Sequence, residues 1–366
     1  MKRSIALHPS AVLFGLFVFY SLSVRTADCQ TAAGITLGQF EEQGDIGVVQ
    51  HPGTASFETA TGRYTMSGSG ENMWATADAF HFVWKKVSGD VEITADVAFA
   101  TKEGNPHKKA ALMIRQSLDA DSPYVDAALH VVGLTSLQSR AEKGGATHEL
   151  GIDGEGASRL RLVKRGANFY MYVARPGEQL HLAGGSMRLE LKEPFYIGLG
   201  VCAHDKDALE TAVFSNVRIG TPAKGKARLY STLETISVSS TDRRIVAVFD
   251  GAIQTPSWTA DGTHLVFRRG KQLMEIAASG GQLGLAPSDA LTKKSEWTSP
   301  DGLQVASLSY SGKKPMDTTL SMKTLSDGKV KVLAHLMGAQ GTLGVSPWSP
   351  DGKRLVFVSY QMVPQQ

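Results

Sequence analysis

Three copies of one short pattern occupy the last third of the chain. They are Pro256-Ser-Trp-Thr-Ala-Asp-Gly-Thr-His-Leu-Val-Phe267, Thr298-Ser-Pro-Asp-Gly-Leu-Gln-Val-Ala306 and Pro347-Trp-Ser-Pro-Asp-Gly-Lys-Arg-Leu-Val-Phe357. Each reads Ser/Thr-x-Asp-Gly, two residues, then an apolar run. Asp-Gly ahead of a β-rich run specifies a tight turn, because Gly accepts positive φ and Asp bonds to nearby backbone. The aspartates Asp261, Asp301 and Asp351 stand 40 and 50 residues apart. Self-similarity at that period marks a unit of about four strands repeated around an axis. The pattern therefore predicts β-structure throughout this half. Trp258, Asp261, Gly262, Asp301, Gly302, Trp348, Asp351 and Gly352 are read as structural, with tryptophans packed between units and aspartates closing turns.

The first thirty residues read differently. Lys2 and Arg3 precede an apolar core, Ala11–Leu22, too short for a comfortable membrane span. Residues 1–29 are expected to be a signal peptide, which places the protein in the periplasm or outside the cell. Without them 35 basic and 34 acidic residues remain. A balance so close to neutral gives no electrostatic reason to expect nucleic acid or an acidic membrane as partner. Cys202 is then the one cysteine left, with no internal disulfide to make.

Between residues 34 and 221 the chain alternates with period two in segments divided by turn residues. In Asp90–Ala100, Val91, Ile93, Ala95, Val97 and Phe99 share a face opposite Glu92, Thr94 and Asp96. The same alternation runs through 110–116, 125–131, 135–141, 159–164, 169–174, 195–202 and 210–219. Many short antiparallel strands, each with one polar face, predict two packed sheets. The expected class is all-β.

Three motifs in this half carry a resemblance: Ser88-Gly-Asp-Val-Glu-Ile-Thr-Ala-Asp-Val with Lys109-Ala-Ala-Leu-Met-Ile-Arg115, Phe195-Tyr-Ile-Gly-Leu-Gly-Val-Cys-Ala-His204, and Ala212-Val-Phe-Ser-Asn-Val-Arg-Ile219. Residues 34–221 thus resemble the concanavalin A-like lectin/glucanase jelly roll in its laminin-G-like form. That resemblance implies a curved sheet whose concave face binds carbohydrate. By parity, candidate ligand-binding residues for such a face are Trp84, Arg115, His130, Gln138, Arg140, Tyr196 and His204. Gly198, Gly200 and Cys202 form a row of small residues between them, as a shallow groove would require. Trp74 and Trp84 are candidate sugar-stacking platforms. Each also has a plainer reading, Trp as core and a strand Arg or His as cover for an exposed sheet face.

No catalytic set emerges. The chain lacks Gly-x-Ser-x-Gly and His-Glu-x-x-His. Glucanases of the resembling fold carry Glu-x-Asp-x-x-Glu, which Glu92-Ile-Thr-Ala-Asp96 does not match, and glycoside hydrolysis needs two facing carboxylates. No metal or cofactor is expected. Calcium is the exception considered, with Asp119, Asp121, Asp126, Asp153 and Glu155 as oxygen donors.

Residues 222–228, Pro-Ala-Lys-Gly-Lys-Ala-Arg, read as a linker. From 229 to 366 the Asp-Gly units resemble the WD40-like repeats of TolB-type β-propellers, the kind named for biopolymer transport. That resemblance implies a platform for a protein partner. The stretch suffices for about three blades, whereas closed propellers have about four to eight. A shortened chain, completion by oligomerisation or an open partial ring would each account for the shortfall, and the first is preferred. The expected function is a secreted or periplasmic, non-enzymatic binding protein, its sandwich holding a glycan or envelope ligand and its repeats docking a protein. The alternative is a carbohydrate-active hydrolase using the jelly-roll groove.

Overall fold

A computed structural model describes residues 36–152, 156–291, 297–311, 317–338 and 345–364. Residues 1–29, read as a signal peptide, and Asp153 and Glu155 lie outside the described residues. Every regular element among them is a strand, so the protein is all-β. Among the described residues no helix is long and apolar enough to cross a membrane.

The period-two segments form two facing sheets. One has the spatial order Glu42–Ile46, Phe80–Val87, Phe195–Cys202, Lys109–Arg115, Tyr124–His130, Thr135–Arg140, Thr147–Ile152, Arg243–Asp250, Ala227–Ser237, Arg354–Pro364. The other contains Asn168–Ala174, Arg159–Arg165, Val91–Phe99, Asp205–Gly220, Arg63–Gly70 and Thr54–Glu58, with short edge pieces. Between them Leu112, Ile114, Leu137 and Leu199 of the first sheet meet Ile93, Leu162, Phe169 and Phe214 of the second in one continuous core. Alternation alone specifies this layer, since burying one face of each sheet removes apolar area from water at about 25 cal/mol per Å².

The first sheet departs from the expected half-exposed pattern. Strands Lys109–Arg115, Tyr124–His130 and Thr135–Arg140 are buried on both faces. The cause is a small hairpin, Met73–Trp74 paired with Ala77–Asp78, lying across the face turned away from the core. A second apolar cluster, including Met73, Phe80, Phe82, Trp84, Met113, Tyr124 and Cys202, fills the space beneath it.

The Asp-Gly half does not stand apart. Residues 36–366 fall in one compact unit. The segment read as a linker has no regular structure up to Ala227, yet the first sheet runs across the boundary. Thr147–Ile152 pairs parallel with Arg243–Asp250, Leu150 opposite Arg243. The last strand, Arg354–Pro364, pairs along its whole length with Ala227–Ser237, so the chain's end returns to the start of the repeats. The remaining units are a four-stranded sheet over residues 253–285 and a three-stranded sheet over residues 304–337. A buried arginine, ion-paired within the repeat half, reaches across to the sandwich. Arg243 Nε donates to Glu234 Oε2 at 2.8 Å, and its Nη1 donates to the Ser186 carbonyl at 2.8 Å.

The three turns have one geometry. Thr259, Ser299 and Ser349 donate their hydroxyls to Asp261, Asp301 and Asp351 at 2.6, 2.5 and 2.6 Å. Those carboxylates also accept the N–H of Thr263, Leu303 and Lys353. Gly262, Gly302 and Gly352 sit at φ +71°, +72° and +70°, where a side chain would be strained. The same hydroxyl bonds hold the aspartates below the usual carboxylate range, Asp261 at about 2.

Candidate functional site

The outer face of the first sheet brings most of the candidate residues together. Register places Met113, Asp126, Gln138 and Glu149 in one row across four adjacent strands, and Tyr196, Arg115, Tyr124, Arg140 and Thr147 in the next. Lys109 lies opposite His130 and Cys202.

The row of small residues does not leave an open groove. A Cβ on Gly198 would come within 2.0 Å of the Val83 carbonyl oxygen and 2.7 Å of the Phe82 ring, and one on Gly200 within 3.0 Å of the Phe80 ring. Glycine is required there because aromatic rings lie across it. Trp84 is buried, stacked on Phe82 with centroids 5.6 Å apart and edge-on to half-buried Tyr196.

Arg115 and Arg140 form the inner of two polar clusters. Arg140 clasps Asp78 through both carboxylate oxygens, at 2.7 and 3.0 Å, and Arg115 reaches the same carboxylate at 3.4 Å. All three side chains are 0% exposed. Their other donors go to the carbonyls of Trp74 and Ser122 from Arg140 and of Ser117 and Asp119 from Arg115, and Arg115 Nη1 donates to Met113 Sδ at 3.7 Å. Desolvation pushes the Asp78 carboxyl above its ordinary range, against the pull of the two guanidiniums. This cluster fastens the hairpin to the sheet, and nothing outside the protein reaches it.

The second cluster opens toward the surface. Lys109 Nζ donates to Asn72 Oδ1 at 2.9 Å, to the Met73 carbonyl at 3.1 Å and to Gln138 Oε1 at 3.3 Å, and it lies 5.3 Å from the centre of the Trp74 ring. Gln138 Nε2 donates to Ser136 Oγ at 3.0 Å and to Glu149 Oε2 at 3.2 Å. Asp126 stands beside Gln138 in the row, fully buried, and neither carboxylate oxygen has a hydrogen-bond partner among the described residues. Burial raises its pKa to about 8 and lowers that of Lys109. Asp126 is therefore held as the neutral acid at pH 7, able to donate one hydrogen bond and accept others.

Three histidines border this cluster. His107 is exposed, His204 half-buried and His130 buried, with ring centroids of His107 5.6 Å from His204 and 6.0 Å from His130. His130 Nδ1 donates to the Leu134 carbonyl at 3.1 Å, and burial lowers its pKa to about 3. Asn72, whose Oδ1 accepts from Lys109, turns its Nδ2 to His204 Nε2 at 3.0 Å. His130, Gln138 and His204 thus gather around Lys109, while Arg115 and Arg140 belong to the Asp78 clasp, and Trp84 and Tyr196 to the aromatic layer. Sequence reasoning missed Lys109, Asn72 and Glu149 as site residues. Lys109 and Glu149 have the strand parity of Met113 and Gln138, a usable signal, whereas Asn72 arrives only with the hairpin.

The carboxylates considered for calcium do not converge. Asp119 and Asp121 share the ammonium of Lys143, at 2.5 and 3.2 Å, and Asp126 is inside the sheet face. Among the described residues no group of three or more His, Cys, Asp or Glu side chains is placed to hold a metal ion.

No family model matches the chain. An uncharacterized protein of Agrobacterium fabrum is 25% identical over 120 residues, which is 30% of this chain and 41% of that protein, so the match spans about two fifths of the relative. Among solved structures, a carbohydrate-binding module of Bacillus subtilis covers 50% of the chain and 98% of its own length at 17% identity and TM-score 0.34. A β-glucanase of Bacillus licheniformis covers 50% and 92% at 10% identity and TM-score 0.32. A putative TolB from Agrobacterium tumefaciens covers 75% and 99% at 15% identity and TM-score 0.18.

Proposed function

We propose that this is a non-enzymatic binding protein of the periplasm or cell exterior, whose sandwich holds a glycan or another polar envelope ligand. The Asp-Gly half serves as the platform for a protein partner. The observation that carries the reading is the cluster of Lys109, Asp126, Gln138 and Glu149 beside Trp74. Its half-buried rim of Asn72, Trp74, Glu149 and His204 offers an amide, an indole face, a carboxylate and an imidazole, positioned from beneath by the buried Lys109, Asp126 and Gln138, a set that matches the paired donors and acceptors and the apolar face of a sugar ring.

Asp126 and Glu149 flank Gln138 on neighbouring strands, which is the observation favouring hydrolysis as a second reading. The full enclosure of Asp126 weighs against it, because an acid must reach the glycosidic oxygen. Pull-down of the full chain on insoluble polysaccharides, with a glycan array, tests both. Binding without turnover that is lost in Trp74→Ala and Gln138→Ala is the expected result. Release of reducing ends would establish the hydrolase instead, and no binding to any glycan would overturn the reading. Cell fractionation in which the protein stayed in the cytoplasm would refute the location.

A further inference from the structure

Where the edge of the second sheet meets the parallel pair of Thr147–Ile152 and Arg243–Asp250, side chains do not fill the space between the halves. A cavity of about 380 Å³ remains there, with Ile152, Val173, Leu182, Ile245 and Val248 in its wall. Val173, Leu182 and Ile245 keep 6–7% of their surface exposed, and Ile152 and Val248 are half-buried. Leu112, Ile114, Leu137 and Leu199, deeper between the same sheets, have no exposed surface. Apolar surface left wet inside a cavity is surface that the apolar part of a ligand can cover.

The mouth is polar, and most of it comes from one turn. Arg175, Glu178 and His181 stand there, all exposed. The Glu178 N–H donates to the Arg175 carbonyl at 3.0 Å, and Glu178 Oε2 accepts the Arg175 N–H at 3.2 Å. That closes the turn and leaves Glu178 Oε1 unused. The Arg175 guanidinium has no hydrogen bond or ion pair among the described residues, so the two opposite charges share the mouth without pairing. Thr135, the other polar residue of the wall, is buried and donates to the Gly133 carbonyl at 3.3 Å.

A simple anion would meet the Glu178 carboxylate here, and a simple cation the Arg175 guanidinium. A ligand with both charges on one carbon and an apolar group pointing away from them opposes neither. We propose that this cavity binds a free apolar α-amino acid. Its carboxylate pairs with Arg175, its ammonium with Glu178 Oε1, and its side chain covers the apolar wall. A guanidinium fork takes a carboxylate through two parallel bonds, and a carboxylate oxygen accepts from an ammonium. None of these residues belongs to the Lys109 cluster, so amino-acid binding and glycan binding stand or fall separately.

Isothermal titration calorimetry on the full chain tests this with four probes. They are L-leucine, isocaproate, which lacks the ammonium, isoamylamine, which lacks the carboxylate, and glycine, which lacks the apolar group. Leucine is expected to bind saturably and each of the others more weakly by about tenfold or more, through loss of a charge-assisted bond or of buried methyl groups. Arg175→Gln should remove leucine's advantage over isoamylamine, and Glu178→Gln its advantage over isocaproate. Both side chains are exposed, so the thermal midpoints of the variants should match wild type. Absence of saturable leucine binding overturns the proposal. So does any of the other three probes binding as tightly as leucine, or wild-type selectivity retained in both variants.

Discussion

The sandwich's outer face and the Asp-Gly turns both use carboxylates, yet they use them oppositely. In the turns each aspartate is satisfied by residues two positions away and remains at the surface. On the sandwich face Asp78 is clasped by Arg140, 62 residues distant, with no solvent contact at all. The first arrangement is local and screened, so each turn contributes little and repetition makes the pattern. The second removes three charges from water at once, so removing one partner strands the others.

The sharpest way to break that contrast is Asp78→Asn. It leaves Arg115 and Arg140 buried without a counter-charge and is expected to cost about 3–5 kcal/mol. Urea unfolding measured on both proteins checks it, and a loss comparable to that of a turn variant would show that the clasp is not desolvated. Gly198→Ala comes next, at about 1–3 kcal/mol from overpacking against the Val83 carbonyl and the Phe82 ring. A neutral result there would mean that the small residues border an open groove after all.

The second cluster makes a pH prediction that the turns do not share. Burial raises Asp126 to about 8 from its ordinary 3.8, so between those values the folded state holds a proton that the unfolded state lacks. Stability from this group is complete below pH 4 and is lost as pH rises through 8. His130 works the other way. Its pKa falls from 6.5 to about 3, so its effect is confined to that range, where stability rises with pH. From pH 6.5 to 8, then, wild-type stability should fall by up to about 1.4 kcal/mol per pH unit, and Asp126→Asn should flatten the slope. Parallel curves for the two proteins would remove the buried neutral acid from the site. The smallest effect is expected for Gly352→Ala, about 1–2 kcal/mol from the left-handed backbone at φ +70°.

How much could be read in advance follows the same division. The segments 159–164, 169–174 and 195–202 are strands within a residue of their expected ends, because period-two patterning is local and one face of each meets a core. The Asp-Gly turns were legible for the same reason. His130, Gln138 and His204 were reachable by parity, but parity names a face without saying what lies on it. It could not separate Arg115 and Arg140, locked on Asp78, from Gln138, bonded to Lys109 and Glu149.

By itself the sequence determined the all-β class, the strand alternation and the three turns, since each depends on residues within a few positions of one another. Tertiary structure alone decided three things. It folded Met73–Asp78 over the sheet, turning an apparent groove into a second core. It joined Thr147–Ile152 to Arg243–Asp250, carrying one sheet through the expected boundary. It also left Trp258 and Trp348, at the same position of two repeats, in different states, the second donating to the Trp297 carbonyl and the first without an acceptor among the described residues. Each depends on which distant strand supplies a ring, a guanidinium or a carbonyl, and spacing along the chain carries no record of that choice.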